Sequence, residues 1–146
     1  MIENIRLLVV DDELDFLETL MKRLKKRGVQ VKGVKSGEEA LECLSQDPFD
    51  VVILDVKMPG MDGLETLRAI KARHPLVEVI MLTGHANVET AVTGMELGAF
   101  DYLMKPMDID ELLYKVQDAY QKKVLHETRI ALRRKIAQGE LENEET

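Results

Sequence analysis

Asp11, Asp12, Asp55, Thr83 and Lys105 offer three carboxylates, a hydroxyl and an ammonium, a set suited to holding a cation and an anion side by side. Asp55 closes the apolar run Val51-Val52-Ile53-Leu54, the pair Asp11-Asp12 follows Leu7-Leu8-Val9-Val10, and Lys105-Pro106 follows a short apolar stretch near residue 103. A carboxylate at the end of a buried strand needs a reason, because burying an unpaired charge is costly. If the runs are parallel strands of one sheet, their polar endings meet beyond its carboxyl edge, where open α/β sheets form ligand sites. Two of the acids can then hold a divalent cation, and the third can ligate it or attack an electrophile. The Thr83 hydroxyl can donate to an anion, and the Lys105 ammonium can neutralise developing charge.

Three clustered carboxylates repel one another and raise at least one pKa; a bound Mg²⁺ reverses that logic. Mg²⁺ prefers a near-octahedral oxygen shell and keeps several waters. One or two carboxylates, a backbone carbonyl near Lys57, waters and a phosphoryl oxygen would complete such a shell, with Mn²⁺ as an acceptable substitute. Zinc fits badly, since neither a cysteine nor a pair of histidines is placed to build a nitrogen–sulfur site. Taken singly, each residue has a plainer role: Asp12 could cap the first helix, Thr83 before Gly84 could cap a loop, and Lys105 could be a surface charge. Their joint occurrence at strand ends favours the chemical reading.

The secondary structure that would carry these residues shows as an alternation of patterns. Apolar segments at Arg6–Val10, Gln30–Val34, Val51–Leu54, Val77–Leu82 and Asp101–Met104 predict strands. Between them, helical periodicity predicts helices over Asp15–Arg27, from after Ser36 to about Ser45, and over about Leu64–Arg73 and Asn87–Leu97. A fifth starts near Asp108. Ser36 with Glu39 makes a plausible capping box, Gly28 and Gly98 can end helices, and Pro75 bars continuation. Strands alternating with helices of this length need right-handed crossovers, which put helices on both faces of a parallel sheet. The more polar Val31-Lys32-Gly33-Val34 reads as an edge strand.

At 146 residues the chain suits one domain, able to bury about 70 % of its unfolded surface. A net charge of −7 argues against a general nucleic-acid surface, whose phosphates need basic groups. The absence of tryptophan removes stacking platforms. Nothing is apolar for long enough to cross a membrane, so a cytoplasmic location is expected. The single Cys43 reads as inert packing rather than redox chemistry. After about Tyr120 the composition turns basic and helix-prone, then acidic from Glu140. Leu125, Ile130, Leu132 and Ile136 follow no clean heptad, which leaves a lone continuing helix, a dimeric coiled coil and disorder all open.

The chain resembles the receiver domains of bacterial two-component response regulators over about residues 4 to 121. The resemblance rests on Leu7-Leu8-Val9-Val10-Asp11-Asp12-Glu13, on Asp55 followed by Met58-Pro59-Gly60-Met61-Asp62-Gly63, on Thr83-Gly84, and on Tyr102-Leu103-Met104-Lys105-Pro106. It implies a flavodoxin-like, doubly wound, five-stranded parallel sheet of order 2-1-3-4-5. Residues 1–121 would form the phosphoacceptor receiver, and 122–146 a C-terminal helical extension or linker with a frayed acidic end.

By this resemblance Asp55 accepts a phosphoryl group from a phosphohistidine on a sensor histidine kinase or histidine phosphotransfer protein. Asp12, Asp55 and the Lys57 carbonyl ligate Mg²⁺ directly, Asp11 directly or through water. Thr83 hydrogen-bonds the phosphoryl group, Lys105 pairs with it, and Gly84 either leaves the approach open or serves a turn. Lys57 and His85 stand where the family tunes hydrolysis, and a cis bond before Pro106 would aim Lys105. Tyr102 would turn inward as Thr83 shifts, reshaping the surface of the fourth helix, fifth strand and fifth helix. The last 25 residues have room for a helix but not for a DNA-reading or ATPase module. That leaves a single-domain regulator docking to a downstream protein, or a receiver parted from its output domain; a homodimer is compatible with either. An aspartate-nucleophile phosphatase lacks its usual motif and cap here. A flavodoxin-like scaffold that has lost its chemistry stays open, although weakened by the intact Asp55 and Lys105.

Overall fold

The computed structural model describes residues 2–58, 60–84 and 87–139. His85, Pro59 and the acidic end from Glu140, all named above, lie outside the described residues. After a short 3-10 turn at Ile2–Asn4, five strands alternate with five helices. The strands are β1 (Arg6–Val10), β2 (Gln30–Val34), β3 (Val51–Leu54), β4 (Glu78–Thr83) and β5 (Asp101–Met104). The helices are α1 (Leu14–Lys26), α2 (Gly37–Gln46), α3 (Gly63–Arg73), α4 (Val88–Glu96) and α5 (Ile109–Ala137). Every pairing is parallel and the order is β2-β1-β3-β4-β5, as the resemblance implied.

Successive strand residues point to opposite faces, and here both faces are covered. Leu7, Val9, Val51, Ile53, Ile80 and Leu82 meet Leu17, Leu20 and Leu24 of α1 and Leu112, Leu113 and Val116 of α5. On the other face Leu8, Val10, Val52, Leu54, Val79 and Met81 meet α2 and α3, where Cys43 packs as a core residue. Strands buried on both sides must be continuously apolar, which β1 and β3 are. The partly exposed β2 is an edge strand.

Local signals explain the helix starts. Ser36 Oγ accepts from the Glu39 amide at 3.1 Å, while Glu39 Oε2 accepts from the Lys35 amide at 2.8 Å; this is a capping box displaced by one residue. Asp62, Asn87 and Asp108 cap α3, α4 and α5 through their side chains. Asp12 caps nothing: the cap position of α1 is Glu13, with no side-chain cap bond. The fourth strand begins one residue later than its hydrophobicity predicts, because the Val77 amide is spent on the His74 carbonyl at 3.0 Å in the preceding turn. At its other end the strand includes Thr83, which is level with Met104 of β5.

Helix α4 is held differently from the rest, with Gly94 as its one buried residue while Val88, Val92 and Met95 are exposed. A Cβ on Gly94 would lie 2.6 Å from Met81 Sδ, so the glycine lets the helix approach the sheet. Helix α5 runs unbroken to Ala137, and its last buried residue is Lys123. No helix among the described residues is long and apolar enough to cross a membrane.

Candidate functional site

The register brings the strand-end residues together. Val10 is level with Leu54 and Leu54 with Met81, so Asp11 and Asp55 leave neighbouring strands side by side. Their backbones extend the ladder: the Asp55 amide donates to the Val10 carbonyl at 2.9 Å and the Asp11 amide to that of Val34 at 3.1 Å. The Lys105 amide does the same toward the Thr83 carbonyl at 2.8 Å, tying β5 to β4 at the same edge. The Lys105–Pro106 peptide bond is cis.

Asp11, Asp12 and Asp55 each bring a carboxylate oxygen to within 4.8 Å of the others. Asp11 and Asp55 are buried, Asp12 partly so. The two buried acids are not equivalent. Asp11 Oδ1 accepts from the Glu13 amide at 2.9 Å, and its Oδ2 from Lys105 Nζ at 2.7 Å. Asp55 Oδ1 is buried without a hydrogen-bond partner. Burial pushes the Asp55 pKa up, and Asp11 and Asp12 add to the rise. The charge of Lys105 and a hydrogen bond from the Lys57 backbone oppose it without reversing it. At Lys105 burial works downward, but the bond and charge of Asp11, with Asp55 and Glu13, outweigh it and raise its pKa.

An orphaned buried oxygen beside two further carboxylates fits a small, hard cation. All the donors are oxygens, which suits a metal of the Mg²⁺ type and not a thiolate or imidazole metal. A cation would offset the burial penalty and the repulsion that together lift Asp55.

Of the other expected site residues, Thr83 is fully buried at the end of β4. Tyr102 is partly buried against the α2–α3 side of the core, and burial followed by the Asp55 charge raises its pKa. Lys57 is exposed. Gly84 has no positive φ, and a Cβ there would meet nothing within 4 Å. Neither turn geometry nor packing therefore demands glycine at that position.

Two further residues shape the site without a chemical signal in the sequence. Gly63, the last residue of the Met58-to-Gly63 motif, lies against the site backbone: a Cβ would stand 2.4 Å from the Asp55 carbonyl oxygen and 2.5 Å from Val56 Cα. Its amide donates to the Val56 carbonyl at 2.7 Å, so α3 braces the Asp55 turn by close backbone approach. The other is Phe16, whose ring centroid lies 3.9 Å from Lys105 Nζ. An aromatic on the apolar side of α1 reads as core, and no sequence signal separates it from Leu17 or Leu20.

Residues 7–117 match the family model described as the response regulator receiver domain. The chain is 42 % identical over 117 residues to the transcriptional regulatory protein ZraR of Escherichia coli K12, covering 80 % of this chain and 26 % of that protein. It is 43 % identical over 111 residues to the DNA-binding transcriptional regulator NtrC of the same organism, covering 76 % and 24 %. The chain thus spans about a quarter of the length of these relatives. Among solved structures, a CheY-like receiver domain protein from Methanospirillum hungatei JF-1 superposes with a TM-score of 0.80 at 30 % identity, covering 84 % of this chain and 98 % of that one. NtrX from Brucella abortus gives 0.80 at 33 %, covering 88 % and 30 %.

Proposed function

This chain belongs to the response regulator receiver domain family of bacterial two-component systems, and from that membership we propose that Asp55 is the residue that takes the phosphoryl group. Such domains catalyse their own aspartyl phosphorylation and dephosphorylation and are not kinases, and the Asp11, Asp12 and Asp55 cluster is the centre poised for that metal-assisted transfer. Family membership implies a histidine kinase or histidine phosphotransfer protein as donor.

The choice of Asp55 is carried by its unpartnered Oδ1. Asp11 is already bonded to Lys105 and the Glu13 amide, and Asp12 is less buried. In the proposed transfer an Asp55 oxygen attacks phosphorus while the bond from phosphorus to the donor imidazole nitrogen breaks. Such a transfer asks the protein for alignment and charge stabilisation more than for a base.

Asp11, Asp12, Asp55 and the Lys57 carbonyl would hold Mg²⁺, with Mn²⁺ as a substitute. Bound there, the ion would supply neutralisation of charge on the phosphoryl oxygens. Lys105 provides the second positive charge, exchanging Asp11 for the phosphoryl group, and the Thr83 hydroxyl donates to it. Gly84 leaves that approach open, which accords with the empty space around its Cβ position. Lys57, exposed two residues after Asp55, tunes water access.

Output follows as a population shift. As Thr83 engages the phosphoryl group, the Tyr102 ring turns further in and the surface of α4, β5 and α5 changes. That surface is read by a partner protein, or by a module reached through α5. The partial burial of Tyr102 against the core leaves its ring a way to turn further in.

The direct test is incubation with Mg²⁺ and phosphoramidate or acetyl phosphate, followed by intact mass and peptide mapping. A Mg²⁺-dependent, base-labile adduct at Asp55 is expected. Equal modification of the Asp55→Asn protein overturns the assignment.

A further inference from the structure

Lys105 is the cation of the site, and one short stretch of chain surrounds its ammonium. Asp11 Oδ2 lies 2.7 Å from Nζ, Glu13 Oε1 3.5 Å, and the centroid of the Phe16 ring 3.9 Å. The three neighbours treat the charge differently. A carboxylate neutralises it, and Asp11 is also a ligand that a metal ion would claim. A ring face attracts the ammonium through its quadrupole and leaves the full charge in place.

We propose that Phe16 is a positioning residue for phosphoryl transfer: its ring holds the Lys105 ammonium beside the acid cluster in a form still able to neutralise an incoming phosphoryl group. The inference rests on the reading that Lys105 meets that group.

Three features suit Phe16 to this task. It lies in the first turn of α1 and packs against the core cluster on that face, so the ring is held by more than the lysine. The Lys105 side chain is only 12 % exposed, and removal from water strengthens an ammonium–ring contact. Phe16 and Lys105 also share the wall of a cavity of about 60 Å³ with Leu20, Leu82 and Leu112. A smaller side chain at residue 16 would therefore give the lysine stem room to wander.

The test uses the whole chain with Mg²⁺ and phosphoramidate, reading the initial rate of Asp55 modification. Phe16→Leu is expected to slow it about two- to fivefold, the size of a partly buried cation–π contact. Phe16→Tyr, which keeps the ring face, recovers most of that loss. In a Lys105→Met background Phe16→Leu adds no further slowing. By NMR, the ring-shifted Lys105 ε-methylene protons move toward ordinary lysine values in Phe16→Leu. The proposal is overturned if Phe16→Leu reacts as fast as the parent, if Phe16→Tyr is as slow as Phe16→Leu, or if the same slowing persists without Lys105. A Lys105→Met protein as fast as the parent would instead remove the role given to Lys105 itself.

Discussion

Asp50 and Asp55 flank the same strand, one just before β3 and one just after it, and both are buried. Asp50 is surrounded by donors: the Arg6 amide at 2.8 Å, Arg6 Nε at 3.3 Å and Nη2 at 3.1 Å, and Lys123 Nζ at 3.1 Å. Burial pushes its pKa up, but the bonds from Arg6 and Lys123 together outweigh that and leave it depressed. Next to it, Glu78 at the start of β4 also has a buried oxygen without a hydrogen bond, Oε1, but two cations stand by it, Lys122 at 3.7 Å and Lys71 at 3.9 Å. At the opposite end of the strands three carboxylates cluster, Lys105 pairs with Asp11, and Asp55 keeps an oxygen without a hydrogen-bond partner and a raised pKa. A buried carboxylate is therefore not in itself a mark of function. One end uses its acids to tie α5 to the sheet, and the other leaves an acid only partly compensated where a cation and a phosphoryl group can use it.

Asp55→Asn tests this contrast most severely. It is expected to abolish the Mg²⁺-dependent adduct, measured by intact mass, and at neutral pH to raise the thermal midpoint of the metal-free protein, because it removes an ionised group that burial disfavours. A lowered midpoint would mean that the Asp55 charge is compensated after all. Asp50→Asn should do the reverse. Leaving two cations beside a buried neutral amide costs about 3 kcal/mol, seen in urea unfolding, while the folded fraction is phosphorylated at the parent rate.

Acid titration of the metal-free protein separates the two ends by sign. The folded pKa of Asp55 lies above its ordinary 3.8, so the destabilisation from its charge is complete above the folded pKa and is relieved as pH falls through it. The stability gap between Asp55→Asn and the parent should therefore begin to close above pH 3.8. The folded pKa of Asp50 lies below 3.8, so its stabilisation is full above 3.8 and is lost as pH falls through the folded value. The gap for Asp50→Asn should persist to that more acidic range. Two gaps closing over the same pH range would break the contrast.

The smallest effect is expected from Lys123→Met. Asp50 keeps its Arg6 bonds, so the loss is about 1 kcal/mol. Because Lys123 is the last buried residue of α5, amide exchange over residues 124–137 should quicken while exchange in β3 is unchanged. Unaltered exchange in that segment would mean that this ion pair does not tether the helix.

Much of the fold was legible because its causes are local. Val51 to Leu54 forms a two-sided strand on apolar content alone, and Ser36 with Glu39, Pro75 and Gly98 mark helix boundaries through their own backbone chemistry. The misplaced start of β4 shows where local reading stops, since the Val77 amide was taken by a turn that hydrophobicity does not register. The acid cluster was legible for a related reason: polar residues closing apolar runs are conspicuous once the runs are strands of one parallel sheet. Asp50 precedes one apolar run and Glu78 interrupts another, and nothing nearby in the chain announces the cations that stand by them.

The order of residues along the chain was enough for the alternation of strands and helices, the strand ends at which acids, hydroxyl and ammonium gather, and a family pattern that orders them. Which of Asp50 and Asp55 is surrounded by donors was settled only by folding. That depends on contacts between residues far apart in the chain: Arg6 with Asp50 across 44 positions, and Lys105 with Asp11 across 94. Such pairs are created by strand register and by the return of α5 across the sheet. They separate an acid that holds the fold together from one left open to react.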